Sequence, residues 1–545
     1  MPDAFSESGT ILDPLNRTAY TGTVHVEDGR IAQIDRHPAD PDRMIMPGLI
    51  DAHVHIESSM LTPSEFARAA VRHGTVATVS DPHEIANVLG VDGIDYMIED
   101  GKRVPFKFYF GASSCVPATP FETAGAELDA DAVAELLDRP EIRYLSEMMN
   151  YPGVLNGDPE VMAKLDAAKE RGLPRDGHAP GLRGEQAQQY ADAGIQTDHE
   201  CVQIDEARDK LAAGMKILIR QGSAAKNYDE LIPLMGEAPD QLMFCSDDKH
   251  PDALQRGHIN DLVWWTIRRG FDPMDVLRAA CVNPVEHYGL DVGLLQEGDP
   301  ADFIVVEDID RMRVLRTVID GQIVAEDGET RIDRMESPVV NNFSATPAES
   351  EDFACPAEGE QIRVIEAADH QLVTNEAIVE PRVQDGQVVA HPARDVLKLA
   401  VVNRYAEAPP AVAFARGFGL GRGAIASSVA HDSHNIVAVG ASDEALARAV
   451  NCVIEHQGGI SAVSDSDEEI LPLPIAGLIS DRPYDEVAAQ YIDLNAFAQQ
   501  RLGSSMDAPF MTLSFMALLV IPHLKLSDQG LFDGDQFAFV DLFAA

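Results

Sequence analysis

Residues 47–59 read PGLIDAHVHIESS and decide the fold of this 545-residue chain. The part from 49 to 57, LIDAHVHIE, reads as a short strand that ends in His53-Val54-His55. Side chains alternate across a strand with period two, so both imidazoles stand on one face. A doubly wound open sheet is the alternative. It would carry a Gly-rich turn after its first strand, whereas this strand runs into HVHIE.

Seven further strands are predicted downstream: TVATVSDP (75–82), FKFYFGASS (106–114), IRYLSEMM (142–149), PRDGHAP (174–180), IQTDHE (195–200), KILIRQGS (216–223) and QLMFCSDD (241–248). Amphipathic stretches such as SEFARAAVRHG and PEVMAKLDAAKERG lie between them. Eight βα repeats within 46–290 match the size of a (β/α)8 barrel. The predicted class is therefore α/β. Upstream, GTILDP, GTVHVED and GRIAQID read as short strands, and ADFIVVED, MRVLRTVID and GQIVAEDG do so after the barrel. Two β blocks flanking one long middle predict a small β domain built from 1–45 plus 291–335. Residues 336–360 are polar, acidic and Pro-containing, and read as a linker. Residues 361–545 are left for a C-terminal α/β or α+β domain. Two or three domains are expected, because a single core rarely grows past ~250–300 residues.

Ninety Asp and Glu against 42 Lys and Arg give a formal charge of −48. Such a polyanion is a poor binder of nucleic acid or anionic membrane. Only ten of the bases are Lys, and the acid is spread along the chain, as suits a cytosol of very high salt. The six cysteines are widely spaced, with no C-x-x-C pair, and read as buried reduced thiols. MPDAFSESGTILD has neither a basic start nor an apolar run, so no signal peptide is expected. The longest apolar stretch, Phe510 to Ile521, is too short to cross ~30 Å of hydrocarbon. A soluble cytoplasmic protein is the expectation.

Side chains at the C-terminal ends of barrel strands point into one shared mouth. Those ends carry His53 and His55, Glu147, His178, His199 and Asp247. Imidazole and carboxylate together favour Zn, Mn or Fe(II). A carboxylate bridging two ions would hold them ~3.5–4 Å apart. Two divalent ions are the predicted cofactor.

PGLIDAHVHIESS and the later ADFIVVED…VIDGQIV resemble the amidohydrolase superfamily. The strings SDPHEIANVLG, SEMMNYPGV, DGHAPGL, TDHE, RQGSAAKN, FCSDDKHP and GFGLGRGAIASSVAHDSHNIVAVG resemble its adenine deaminase branch. The resemblance spans nearly the whole chain. It implies that His53, His55 and Asp247 hold one metal and that His178 and His199 hold the other. Glu147 is shared, where many relatives use a carbamylated Lys. Manganese is the expected ion, with Fe2+ or Zn2+ as alternatives. The implied reaction is hydrolysis of adenine to hypoxanthine and ammonia by a metal-activated hydroxide, in purine salvage, by a homodimer or higher homo-oligomer. Asp247 would carry the proton. Glu200, Asp248, His83 and Glu84 are the candidates for protonating the purine ring. Alternation points Glu200 away from the mouth and sends Asp247 and Asp248 in opposite directions. The alternative functions are a cyclic-amide hydrolase of the hydantoinase or dihydroorotase kind and a non-catalytic metal-binding scaffold. No P-C-x-x-C accompanies an H-x-E, so the cytidine-type deaminase fold is excluded.

Several features stay open. Arg220, Ser223 and Lys226 follow the seventh strand, in contact with the purine, in loop closure or in support. Trp264 and Trp265 fit core packing better than base stacking. Gly417, Gly419, Gly421 and Gly423 alternate, with no GK[ST] to mark a phosphate loop. His431, Asp432 and His434 have metal-ligand spacing; an active-site wall, a subunit contact and an ordinary loop are the other readings.

Overall fold

The computed structural model describes residues 4–38, 42–223, 225–369 and 371–544. The segments 1–45 and 361–545 and the string RQGSAAKN therefore include positions outside the described residues: 1–3, 39–41, 224, 370 and 545.

The first strands are β1 (Phe5–Asp13), β2 (Thr18–Glu27), β3 (Arg30–Arg36) and β4 (Met44–Pro47). The eight barrel strands follow as β5 (Leu49–Val54), β6 (Thr75–Ser80), β7 (Lys107–Ala112), β8 (Ile142–Met148), β9 (Arg175–Gly177), β10 (Thr197–Asp198), β11 (Lys216–Arg220) and β12 (Leu242–Cys245). All eight expected strands form. Each is shorter than its sequence suggested, and His55, His178, His199 and Asp247 lie just past the ladder and line the mouth.

Strands β5 to β9 make one parallel sheet and β10 to β12 a second. The gap between β9 and β10 is spanned by Gln196 N donating to Arg175 O at 3.0 Å. The other seam closes where Asp247 N donates to His53 O at 2.9 Å. Helices cover the barrel and start where the sequence offers caps. Thr62 accepts from Glu65 N ahead of the helix Pro63–Ala70. Asp158 accepts from Glu160 N and Val161 N ahead of Pro159–Glu170.

Four later strands, β13 (Phe303–Val306), β14 (Val314–Ile319), β15 (Gln322–Glu326) and β16 (Glu329–Thr330), return to β1 through β4. Together they form one eight-stranded sheet in which β4 joins β13 to β1. A further eight-stranded sheet spans Ile362–Pro472 and carries the helix Asp443–Glu455, capped by Ser442. One hydrophobic cluster runs from Val54 and Met60 of the barrel to Leu399, Phe510 and Met516 of this region. Each fully buried side chain of that size contributes about 1.5–3 kcal/mol, so the two regions are packed together.

All six cysteines are buried and free. Both tryptophans pack beside the cluster around Ile259 and Leu262. In the Gly-rich loop, Gly417 N and Gly419 N donate to the Asp395 carboxylate at 2.7 and 2.8 Å. Those amides hold a side chain of the protein itself. Gly417 (φ 107°) and Gly419 (φ 71°) lie in the left-handed region that glycine favours. No helix among the described residues is long and apolar enough to cross a membrane.

Candidate metal and catalytic site

Three buried polar anchors set the strand ends. The Asp51 carboxylate accepts from Ser246 N at 2.9 Å and contacts His258 Nε2 at 2.8 Å, which ties the start of the His53 strand to the end of β12. Asp198 accepts from Ala179 N at 3.0 Å, Glu200 N at 2.7 Å and Lys210 Nζ at 3.1 Å, so one carboxylate fixes the segments carrying both His178 and His199. Asn227 accepts from Arg220 N at 2.8 Å and donates to the carbonyls of His199 and Cys201 at 3.0 Å each. Removing Lys210 from its buried pair with Asp198 would cost about 3–5 kcal/mol, because the carboxylate is left uncompensated.

On these anchors the six strand-end residues converge, all buried. His53 Nε2 and His55 Nε2 face each other at 3.2 Å, and Asp247 Oδ1 lies 3.7 and 3.3 Å from them. Glu147 divides its oxygens. Oε1 lies 3.4 Å from His55 Nε2, and Oε2 lies 2.7 Å from His178 Nδ1 and 3.0 Å from His199 Nε2. Groups of His, Asp and Glu around Glu147 and Asp247 offer ligand atoms close enough to share an ion. Two imidazole nitrogens aimed at one another beside carboxylate oxygens are what a divalent cation satisfies, so the donor set fits a metal.

Arg220, left open by the sequence, is buried between Asp247 Oδ2 at 2.6 Å and both oxygens of Glu200. Burial opposes ionisation of Asp247, but the guanidinium and the imidazoles outweigh it and hold the carboxyl well below the ordinary range. Burial likewise opposes ionisation of Glu147, and His178 and His199 overcome it.

Two expected orientations are corrected. Glu200 faces the mouth rather than away from it, because β10 ends at Asp198 and strand alternation no longer applies two residues later. Asp247 and Asp248 both line the cavity, because β12 ends at Cys245 and Asp247 turns into the left-handed region at φ 55°. Asp248 Oδ1 accepts from Ser58 Oγ. His83 Nδ1 lies 3.0 Å from Asp81 Oδ2 and 3.5 Å from Glu147 Oε1. Glu84, next to it, is held by His431 and His434 of the C-terminal region. Ser223 is at the neighbouring loop, where its Oγ accepts from His250 N at 2.9 Å, and Lys226 is exposed.

The cavity over the cluster is roofed by the apolar Leu372, Phe515, Leu518, Val520 and Ile521 together with His431 and Asp432. Sequence reading missed the apolar members of that roof. The run FMTLSFMALLVI was visible only as an apolar stretch, with nothing local to place it over the barrel. Asp81 was missed too, although it directly precedes Pro82 and the paired His83 and Glu84.

The model described as the amidohydrolase family matches residues 44–324, and the adenine deaminase C-terminal domain matches 371–538. Adenine deaminase of Salinibacter ruber is 65% identical over 544 residues, covering 100% of both chains. Adenine deaminase of Sulfurovum sp. is 56% identical, with 97% of this chain and 98% of the relative aligned. That of Methanosarcina barkeri is 52% identical, with 98% and 99% aligned. By motif, by site geometry and by full-length similarity, the chain belongs to the amidohydrolase family, among the adenine deaminases.

Proposed function

We propose that this chain hydrolyses adenine to hypoxanthine and ammonia at a centre of two divalent ions. The observation that carries the reading is Glu147, whose two oxygens serve His55 on one side and His178 and His199 on the other. His53, His55 and Asp247 would hold one ion, His178 and His199 the other, and Glu147 both. Mixed nitrogen and oxygen donors suit manganese, with iron or zinc as alternatives. Divalent ions held there supply a nucleophilic hydroxide at neutral pH, by lowering the pKa of water toward ~7.

The chain's own residues do the rest. Attack forms a C–O bond at C6 of adenine, and the C6–amine bond then breaks to release ammonia. Asp247 takes the proton of the attacking group on Oδ1, since Oδ2 is engaged by Arg220, and passes it to the departing amine. Of the four candidates for the ring proton, Glu200 has both oxygens tied to Arg220, and Glu84 has both tied to His431 and His434. His83 is turned to Asp81. Asp248 keeps one oxygen beyond its bond from Ser58, and we assign it the ring nitrogen beside C6. The roof of Leu518, Val520, Ile521 and Phe515 excludes water and suits a flat heterocycle.

The same reading includes purine salvage in a salt-rich cytoplasm and assembly as a homodimer or larger. It also includes division of the chain at 1–45 with 291–335, 46–290, 336–360 and 361–545. The sheet joining β1–β4 to β13–β16 supports that division. Incubation with adenine, following ammonia and the purine spectrum, tests the activity. Ring opening instead of ammonia release would indicate a cyclic-amide hydrolase.

A further inference from the structure

Among the buried groups that the proposed reaction leaves unused is His431. His431 belongs to the C-terminal region, yet it lines the cavity over the barrel mouth. Its Nδ1 is bonded to Glu84 Oε1 at 2.5 Å, and the other Glu84 oxygen is bonded to His434 Nε2. One ring face stacks on Phe515, with centroids 5.0 Å apart and planes at 20°. Phe515 and Glu84 therefore restrain the ring in two directions. Its Nε2 is buried and has no hydrogen-bond partner among the described residues. An unsatisfied buried ring nitrogen costs about 1–3 kcal/mol unless something binds there. With Nδ1 on Glu84 and a face on Phe515, the Nε2 edge is what His431 offers to the cavity it shares with Asp248.

We propose that His431 reads the purine: its Nε2–H donates a hydrogen bond to a ring nitrogen of adenine other than the one assigned to Asp248. The inference rests on the adenine reading and deepens it. Glu84 and His434 are positioning residues, which aim the imidazole from behind. Burial opposes a charge on His431, but Glu84 and Asp248 outweigh it and raise the group to about 9, so Nε2 carries its proton at neutral pH. A donor locked in this way also discriminates. A heterocycle without an acceptor at that position leaves the buried N–H unpaired and is rejected.

The test pairs a substitution with a substrate change. His431→Asn keeps an amide near the Nδ1 position, and so the Glu84 contact, but deletes the Nε2 donor. It should lower kcat/KM for adenine by about 10–100-fold, the size of a charge-assisted hydrogen bond, with unchanged metal content. His431→Gln places an amide near Nε2 and should recover part of the loss. It also serves as the working variant if His431→Asn does not fold. Deaza analogues of adenine, each with CH in place of one ring nitrogen, are compared as substrates or competitive inhibitors. For one analogue the substitution should have no further effect, and that analogue should differ from the one that silences Asp248→Asn. A loss equal for adenine and every analogue overturns the inference, as does loss of metal in step with activity. If the wild-type chain releases no ammonia from adenine, the reading beneath the inference fails and takes the inference with it. If it does release ammonia and the variant keeps its rate to within about twofold, only the inference fails.

Discussion

The floor and the roof of the candidate site are built on opposite principles. The floor is formed by strand ends of one barrel and is dense in charge, with four histidines, Glu147, Glu200, Asp247, Asp248 and Arg220 within a few ångströms. The roof comes from the C-terminal region and is mainly apolar, with His431 and Asp432 as its polar members. A floor of this kind supplies chemistry, and its members are held by hydrogen bonds that tolerate little displacement. The roof supplies shape and dryness, which strengthen every electrostatic interaction beneath it. Changes in the floor should therefore act on rate and metal, and changes in the apolar roof on substrate affinity.

The largest effect should follow Asp247→Asn, which removes both a ligand oxygen and the proton carrier. A fall in kcat of about a thousandfold or more is expected, against a smaller loss for Asp248→Asn. Equal, severe losses in steady-state kinetics would show that Asp248 is as essential as Asp247 and would overturn the greater weight given to Asp247. Chelation should likewise abolish ammonia release, with recovery on adding Mn2+, Fe2+ or Zn2+ to differing degrees. Full activity in a verified metal-free sample would break the division between floor and roof at its base.

Glu147→Gln comes next. The substitution keeps size but removes the shared charge, so elemental analysis should show both ions depleted while circular dichroism stays that of the folded chain. Normal metal content with a normal rate would reduce Glu147 to a packed strand residue.

Phe515→Leu probes the roof with little change in buried volume. KM for adenine should rise several-fold, by about 3–10 times, while kcat and bound metal hold. A fall in kcat with unchanged KM would place Phe515 in the chemistry after all.

Salt should move the floor least. The Debye length is ~10 Å at 0.1 M and ~3 Å at 1 M, so added KCl screens the repulsion among surface carboxylates and should raise resistance to unfolding. The buried cluster is beyond that screening, so activity per folded molecule should stay level. Unfolding followed by circular dichroism, with activity measured in parallel, separates the two. Equal stability at about 0.1 M and 2 M KCl would show that the −48 charge has another cause.

The sequence by itself determined the barrel and the six strand-end residues of the floor. Both follow from short-range regularities: period-two alternation within a strand, and the convergence of all strand ends at one mouth. Tertiary structure alone decided what lies just beyond those regularities. Glu200 and Asp248 turned toward the site because the strands had already ended, at Asp198 and Cys245. Arg220 acquired its role only when β10 and β12 came to flank β11 and set Glu200 and Asp247 on either side of it. Glu84 and His431 stand 347 residues apart in the chain and meet as one hydrogen-bonded pair. No local pattern encodes such a pair, because its geometry depends on how the C-terminal region docks, and that docking is set by apolar burial, which carries no direction of its own.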